Sequence, residues 1–404
     1  MSFIFRHWRE TLWFIFAGAL LVRGLFIWSL QDGFYFPDSI DYSRAAANLI
    51  ENGGLGETYN RAPGYPVFLS VIYFFFGESI LVVRLVESVI GSFLAVIIAQ
   101  TAKRIGGQPV GVLAGVLWGV WPLAVFVAGL IYPTNLLTMF LACGVLCLLP
   151  SSNQELSPKR VFFSGLIWGI AALIIPIILV TLGAISLWLI WWNRSNRFVL
   201  TSLLFVGSAL MIVPWIVRDF YVHDRLILIE PRLVQHLPPT PYDQEAAEAK
   251  KIEAIAKQPG SFGRHFGREF LHFWKLYPDR ITMASPGMRE EEHRKDARII
   301  KDTIFTTNSL ITGVSILSTG PLFIFAIVGT LAMWFHKEGR RDLSLLWAII
   351  LSFAVGYSIF HTRVRYRVPI EPYITILSAY GLWKTARVLA TQMGYSQLYG
   401  NENR

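Results

Sequence analysis

Four short stretches carry the residues that could do chemistry. Pro37-Asp38-Ser39-Ile40-Asp41-Tyr42 offers two carboxylates and a phenol. Asn60-Arg61-Ala62-Pro63-Gly64-Tyr65-Pro66 sets a guanidinium beside a proline-glycine turn. Pro214-Trp215-Ile216-Val217-Arg218-Asp219 adds a second arginine, and Arg363-Val364-Arg365-Tyr366-Arg367-Val368-Pro369 adds a cluster of three. A carboxylate can take a proton from a hydroxyl, and arginine forks pair with phosphate oxygens. One acidic centre among several arginines therefore suits a lipid phosphate and a hydroxyl acceptor. An ATP-driven pump or a zinc protease has little support. The sequence holds no Walker A loop, no G-x-G-x-x-G and no H-E-x-x-H, and its eight histidines do not cluster at metal-ligand spacing.

The elements that must position these stretches are membrane helices. Of 404 residues, 54% are hydrophobic and 16% charged, against about 45–50% and about 25% in soluble domains. Runs such as 11–30, 79–102 and 131–150 are long enough to cross roughly 30 Å of hydrocarbon as helices. This excludes a soluble one- or two-domain enzyme, and the continuous runs argue against an alternating β-barrel. The pattern predicts about ten spans: 11–30, 79–102, 108–126, 130–150, 161–175, 177–193, 198–216, 307–334, 344–360 and 368–388. The fifth and sixth, parted only by Pro176, read as a hairpin or as one kinked helix. Residues 11–30 read as a permanent span, since they are too long for a signal peptide and lack a small-residue cleavage site. Gly107, Gly111, Gly115 and Gly119 form a stripe for close helix packing. Cys143 and Cys147 share one helix face and read as packing residues. Arg23, Arg84 and Glu87 lie inside apolar runs, and the latter two are spaced to pair locally.

Charge placement sets the expected orientation. The net charge of +9 sits mostly in short connections, so it speaks for bilayer orientation and not for nucleic acid. With the N-terminus inside, the inner short connections carry about 13 Lys and Arg and the outer ones about 5. Both termini are then expected in the cytoplasm and all four chemical stretches outside. Two longer segments also fall outside. Residues 31–78 hold a helical pattern from Pro37 through Leu49, a turn at Gly53-Gly54, and an apolar stretch 66–76 too short to cross, which reads as an interfacial helix. Residues 217–306 hold about 29 of the charged residues with interspersed Phe266, Phe270, Leu271 and Trp274, as expected of a small, mostly helical cap. The expected division is a core of 1–216, a cap of 217–306 and a C-terminal helical part of 307–404.

In order and spacing these features resemble the C-type superfamily of glycosyltransferases (GT-C). Within it they are similar to the bacterial and archaeal relatives of protein O-mannosyltransferases and lipid A aminoarabinose transferases. The resemblance rests on four elements: Asp38-x-x-x-Tyr42 after span one, Arg61-x-Pro-Gly-Tyr65-Pro, Pro-Trp-x-x-Arg218 after span seven, and Arg-x-Arg365-Tyr-Arg367-x-Pro before the last span. It implies an all-α polytopic fold of about ten spans, with interfacial helices in the first outer loop and an extracytoplasmic cap. It also implies transfer of a sugar, with inversion, from a polyprenyl phosphate to a hydroxyl of a protein, lipid or glycan. Asp38 matches the family's catalytic base, and Arg61 matches a basic residue at the donor phosphate. Tyr65, Asp41, Tyr42, Arg218, Arg365 and Arg367 are the further substrate-side candidates.

Each assignment has a plainer reading beside it. Asp38 could merely cap a helix and Asp41 merely favour its dipole. Arg61 could face lipid headgroups, and the 363–367 arginines and Trp215 could anchor at the interface. Relatives often carry an acid where this chain reads Tyr132-Pro133-Thr134. That acid would help hold a divalent cation, so a metal has little support here and no cofactor is expected. Two other classes of function stay open: a transporter or flippase of a lipid-linked substrate, and a catalytically silent subunit that binds polyprenyl phosphate. Transporters often show inverted repeats and interrupted helices in matching halves; this sequence shows no such symmetry, and its chemical candidates lie at the outer ends of the spans and not at the midplane.

Overall fold

The computed structural model describes residues 7–30, 32–34, 37–56, 59, 61–149, 155–223, 229, 259–277, 280–281, 305–306, 309–336, 339–360 and 362–393. Most of the expected cap at 217–306 lies outside the described residues, as does Asn60.

Nearly all of the rest is helix. In chain order these are α1 (Trp8–Trp28), α2 (Pro37–Asn52), α3 (Gly64–Phe76), α4 (Ile80–Gly119), α5 (Pro122–Ala128), α6 (Thr134–Leu148) and α7 (Pro158–Ile174). They continue with α8 (Ile178–Trp192), α9 (Arg197–His223), α10 (Pro259–Phe273), α11 (Ser309–Phe335), α12 (Arg340–Ile359) and α13 (Glu371–Gln392). A 3₁₀ segment, Val364–Ile370, runs directly into α13. Two-residue strands β1 (Arg280–Ile281) and β2 (Phe305–Thr306) pair antiparallel, Arg280 opposite Thr306. Among the described residues, Trp8–Trp28, Ile80–Gly119, Arg197–Val222, Thr312–Phe335 and Arg340–Ile359 are long and apolar enough to cross a membrane. The chain is a multi-pass membrane protein.

Helix α4 is two arms and not one 40-residue rod. Gly107 breaks it with φ 83° and ψ 178°, a left-handed geometry that glycine adopts without strain. The second arm folds back on the first. A Cβ on Gly111 would meet the Ala99 carbonyl at 2.8 Å, and one on Gly115 would meet the Ala99 side chain at 2.8 Å. The glycine stripe thus divides its work: Gly107 turns the chain, while Gly111 and Gly115 let the arms and α1 close up. The fifth and sixth expected spans are two separate helices, with Ile175 extended between them. They share α9 as a neighbour and otherwise part, α7 packing on α6 and α8 on α12.

The charges in the apolar runs are used between elements. Arg23 Nη1 donates to Ala19 O at 3.1 Å and across to Gly119 O at 2.9 Å. Arg84 Nε donates to Gly129 O at 3.0 Å and Arg84 Nη2 to Gly33 O at 2.7 Å. Glu87 accepts from Tyr65 and Asn135. The local Arg84–Glu87 pair expected from spacing gives way to these longer-range bonds, because a buried charge gains more from groups that satisfy it fully.

Helix α2 starts at Pro37, a residue suited to a first helical turn because it lacks an N–H. It stops at Asn52, before Gly53. Helix α3 packs against α2 and against the end of α7. The glycine of Pro63-Gly64-Tyr65-Pro66 is a contact requirement, since a Cβ on Gly64 would meet Leu173 O at 2.8 Å. These contacts bring the first loop onto the end of the bundle where the 3₁₀ segment also lies.

Candidate active site

Asp38 lies inside the first turn of α2, not at its N-cap. Its carboxylate meets side chains from three other parts of the chain. Arg61 Nη2 donates to Oδ1 at 3.0 Å, Tyr132 Oη donates to Oδ2 at 2.5 Å, and Arg365 Nη2 is 3.6 Å from Oδ2. Arg61 Nη2 also lies 3.6 Å from Asp41 Oδ2. The Asp38 side chain remains about 25% exposed, so the cluster is open to a ligand. Burial alone would raise its carboxyl pKa. The Arg61 and Arg365 charges and the bonds from Tyr132 and Arg61 outweigh that and hold it at about 2.

Aromatic rings carry the cations. The Arg61 guanidinium lies 5.5 Å from the Tyr42 ring centroid, and that of Arg365 lies 4.9 Å from Tyr132 and 5.5 Å from Tyr366. Tyr42 makes edge contacts with both Tyr65, at 5.3 Å, and Tyr132, at 5.8 Å. Asp38, Asp41, Tyr42, Arg61 and Arg365 therefore form one cluster across a chain separation of more than three hundred residues.

Three sequence-expected residues sit elsewhere. Tyr65 is fully buried, its hydroxyl donating to Glu87 Oε1 at 3.0 Å. Arg367 is fully buried in an ion pair with Glu371 Oε1 at 2.9 Å, and Trp121 Nε1 donates to Glu371 Oε2 at 2.7 Å. Arg218 pairs with its neighbour Asp219 at 2.7 Å and stacks over Trp215 at 4.7 Å. Arg363 opens the 3₁₀ segment and accepts the Tyr366 N–H on its carbonyl at 2.9 Å.

Two contributors were not legible in the sequence. Tyr132 stood out there only because Thr134 replaces an acid, yet its own hydroxyl is on Asp38. Its signal was its place at the end of an apolar run, on the same side as the four stretches. The second is the network beneath the site. Asn135 Nδ2 donates to Glu87 Oε2 at 2.7 Å and Glu87 O at 2.8 Å. Through Tyr65 and Asn135, the Glu87 carboxylate fixes both the Arg61 turn and the start of α6. Among the described residues, the surroundings of Asp38 do not favour a divalent cation. Thr134 is a buried hydroxyl where the second acid would stand, and a cation at Asp38 would face Arg61 and Arg365. Among the described residues no group of three His, Cys, Asp or Glu side chains could hold a metal.

Residues 60–217 match the family profile of dolichyl-phosphate-mannose-protein mannosyltransferase. The matched stretch takes in Arg61 and Tyr132 but neither Asp38 nor Arg365. No curated protein matches by sequence. Solved structures match in fold. The oligosaccharyltransferase of Archaeoglobus fulgidus, tethered to an acceptor peptide, superposes with TM-score 0.61 and 13% identity, covering 98% of this chain and 52% of that one. The same organism's oligosaccharyltransferase AglB, in complex with an inhibitory peptide and a dolichol-phosphate, gives 0.59 and 14% over 99% and 53%. ArnT from Cupriavidus metallidurans bound to undecaprenyl phosphate gives 0.58 and 15% over 94% and 62%. The chain spans about half the length of the oligosaccharyltransferase and under two thirds of ArnT. It shares the fold of these structures, the fold that the resemblance to the C-type glycosyltransferases implied.

Proposed function

We propose that the chain is an inverting membrane glycosyltransferase that moves a sugar from a polyprenyl phosphate to an acceptor hydroxyl. The observation that carries this reading is the carboxylate of Asp38 ringed by Arg61, Arg365 and the Tyr132 hydroxyl. In the reaction, Asp38 takes the proton of the acceptor hydroxyl as its oxygen bonds the anomeric carbon. The bond from that carbon to the phosphate oxygen breaks on the opposite face, its electrons staying on the departing polyprenyl phosphate, so the centre inverts. Arg61 and Arg365 stabilise that developing charge. Asp41 and Tyr42 orient Arg61 and line the substrate approach.

The same two arginines serve both anions. Without donor they rest on Asp38 and hold it weakly basic. A phosphate draws them away, which returns basicity to the carboxylate as the leaving group arrives. Tyr65 and Arg367 act from beneath, through Glu87 and Glu371, and Arg218 is left as a contact for a more distant part of a substrate.

Support for the donor class comes from the matched mannosyltransferase profile and from neighbours solved with dolichol-phosphate and undecaprenyl phosphate. The asymmetry of Lys and Arg supports a site facing outside with both termini in the cytoplasm. The working division remains a core of 1–216, a cap of 217–306 and a C-terminal part of 307–404, with Arg365 supplied by the last. One observation favours a second reading, a silent polyprenyl-phosphate-binding subunit: the chain has Thr134 where the family resemblance leads one to expect an acid.

Undecaprenyl phosphate binding tests the phosphate assignment. Arg61→Ala is expected to weaken it at least about tenfold, because a charge-assisted contact is worth about 1.5–3 kcal/mol. Arg61→Lys should recover only part, since the fork is lost. Equal affinity in wild type and Arg61→Ala would make Arg61 a surface residue.

A further inference from the structure

The segment that presents Arg365 is tied to α10 on both sides of that residue. Three residues earlier, the fully buried Thr362 donates its N–H to Glu269 Oε2 at 3.0 Å. The Thr362 hydroxyl lies 2.9 Å from both Glu269 O and Glu269 Oε2, and His272 Nδ1 lies 3.2 Å from it. Two residues later, Arg367 Nη1 donates to Phe273 O at 3.1 Å and Lys275 O at 2.7 Å, at the end of the same helix. The Glu269 carboxylate is itself buried, at 5% exposure. A buried carboxylate that accepts a backbone N–H makes a strong, oriented bond, and its removal leaves that amide without a partner.

The sequence of α10 explains the orientation. Phe266, Phe270 and Trp274 recur every four residues in ring contact along one face, ending edge-on to Phe323 of α11 at 6.0 Å. With that face anchored, Glu269 and Phe273, one turn apart, meet Thr362 and Arg367. The 3₁₀ segment is only seven residues long, and such turns hold themselves weakly. Arg365 therefore depends on outside anchors for its place over Asp38.

We propose that Glu269 is a positioning residue for the donor phosphate, fixing through Thr362 the direction in which Arg365 points. Helix α10 of the long outer segment thereby sets the grip on the lipid phosphate while touching none of it. This rests on the donor reading above.

The test is undecaprenyl phosphate affinity of the full-length protein in lipid nanodiscs, for wild type, Glu269→Ala, Arg365→Ala and the double variant. Arg365→Ala and Glu269→Ala are each expected to weaken binding on the order of tenfold. The double variant should be no weaker than Arg365→Ala alone, because both changes remove one contact. Glu269→Gln keeps an acceptor oxygen for the Thr362 amide and should restore most of the affinity. Wild-type affinity in Glu269→Ala, or losses that add in the double variant, would overturn the proposal. If thermal unfolding shows that Glu269→Ala does not fold, Glu269→Asp, whose shorter side chain draws the carboxylate back from the Thr362 amide, is measured alone and with Arg365→Ala and read by the same criterion. A wild-type protein that fails to bind undecaprenyl phosphate would instead bring down the donor reading and this inference with it.

Discussion

On the proposed reading, Asp38 and the donor phosphate compete for the same two guanidinium groups, those of Arg61 and Arg365. That competition makes opposite predictions for binding and for chemistry. Asp38→Asn keeps the shape but removes the charge that holds Arg61 and Arg365. Undecaprenyl phosphate is expected to bind the variant at least as tightly as wild type, and weaker binding would contradict the sharing of these arginines. The depressed carboxyl also has a sign in stability. Its folded pKa of about 2 lies below the ordinary 3.8, so the pairing stabilises the fold above about pH 4. That contribution is lost as pH falls toward 2. Melting temperatures measured from pH 5 down to pH 2.5 should fall less steeply for Asp38→Asn than for wild type. Tyr132→Phe tests the third partner. Loss of a hydrogen bond to a charged group costs about 1.5–3 kcal/mol, and turnover is expected to drop about tenfold while the protein stays folded. Unchanged turnover would reduce Tyr132 to packing.

Helices deliver these groups through contacts that the sequence showed only in outline. The start and stop of α2 were legible from Pro37 and the Gly53-Gly54 turn, and the length of α3 from an apolar stretch too short to cross. What pairs with what was not legible, since Tyr65 meets Glu87 and Asp38 meets Tyr132 over 22 and 94 residues. Local spacing suggested Arg84 with Glu87 instead. Tyr65 is the instructive residue: the resemblance made it a substrate-side candidate, and the structure buries it with its hydroxyl on Glu87. Tyr65→Phe leaves Glu87 one donor short, so it should lower stability by about 1–3 kcal/mol with little change in undecaprenyl phosphate affinity. Weaker lipid binding at unchanged stability would return Tyr65 to the substrate. Gly64→Val pushes α3 off the end of α7 and should cost about 1–3 kcal/mol by overpacking, read as a fall in melting temperature.

Across the molecule, composition and continuous apolar runs were enough for a multi-pass helical protein, because hydrophobic length is a one-dimensional property. The convergence of Asp38, Arg61 and Arg365 was legible as a shared side of the membrane, not as a contact, because which helices touch depends on three-dimensional packing. The role of α10 was out of reach for the same reason, as Glu269 and Thr362 are 93 residues apart. The charge asymmetry predicts an orientation with the site outside. In a Cys143→Ala, Cys147→Ala background, a cysteine at Gly54 should react with an impermeant thiol reagent in intact cells, and one at Asn193 only after permeabilisation. The reverse pattern would turn the site inward. Sugar transfer by the Asp38 cluster is read without intermediaries as release of polyprenyl phosphate. Purified protein in lipid, given a panel of labelled polyprenyl-phosphate sugars, is expected to release polyprenyl phosphate from at least one of them. In Asp38→Asn that release should fall by about 10²–10⁴, the usual worth of a general base, with lipid binding intact. Release by Asp38→Asn at the wild-type rate would contradict catalysis by this carboxylate.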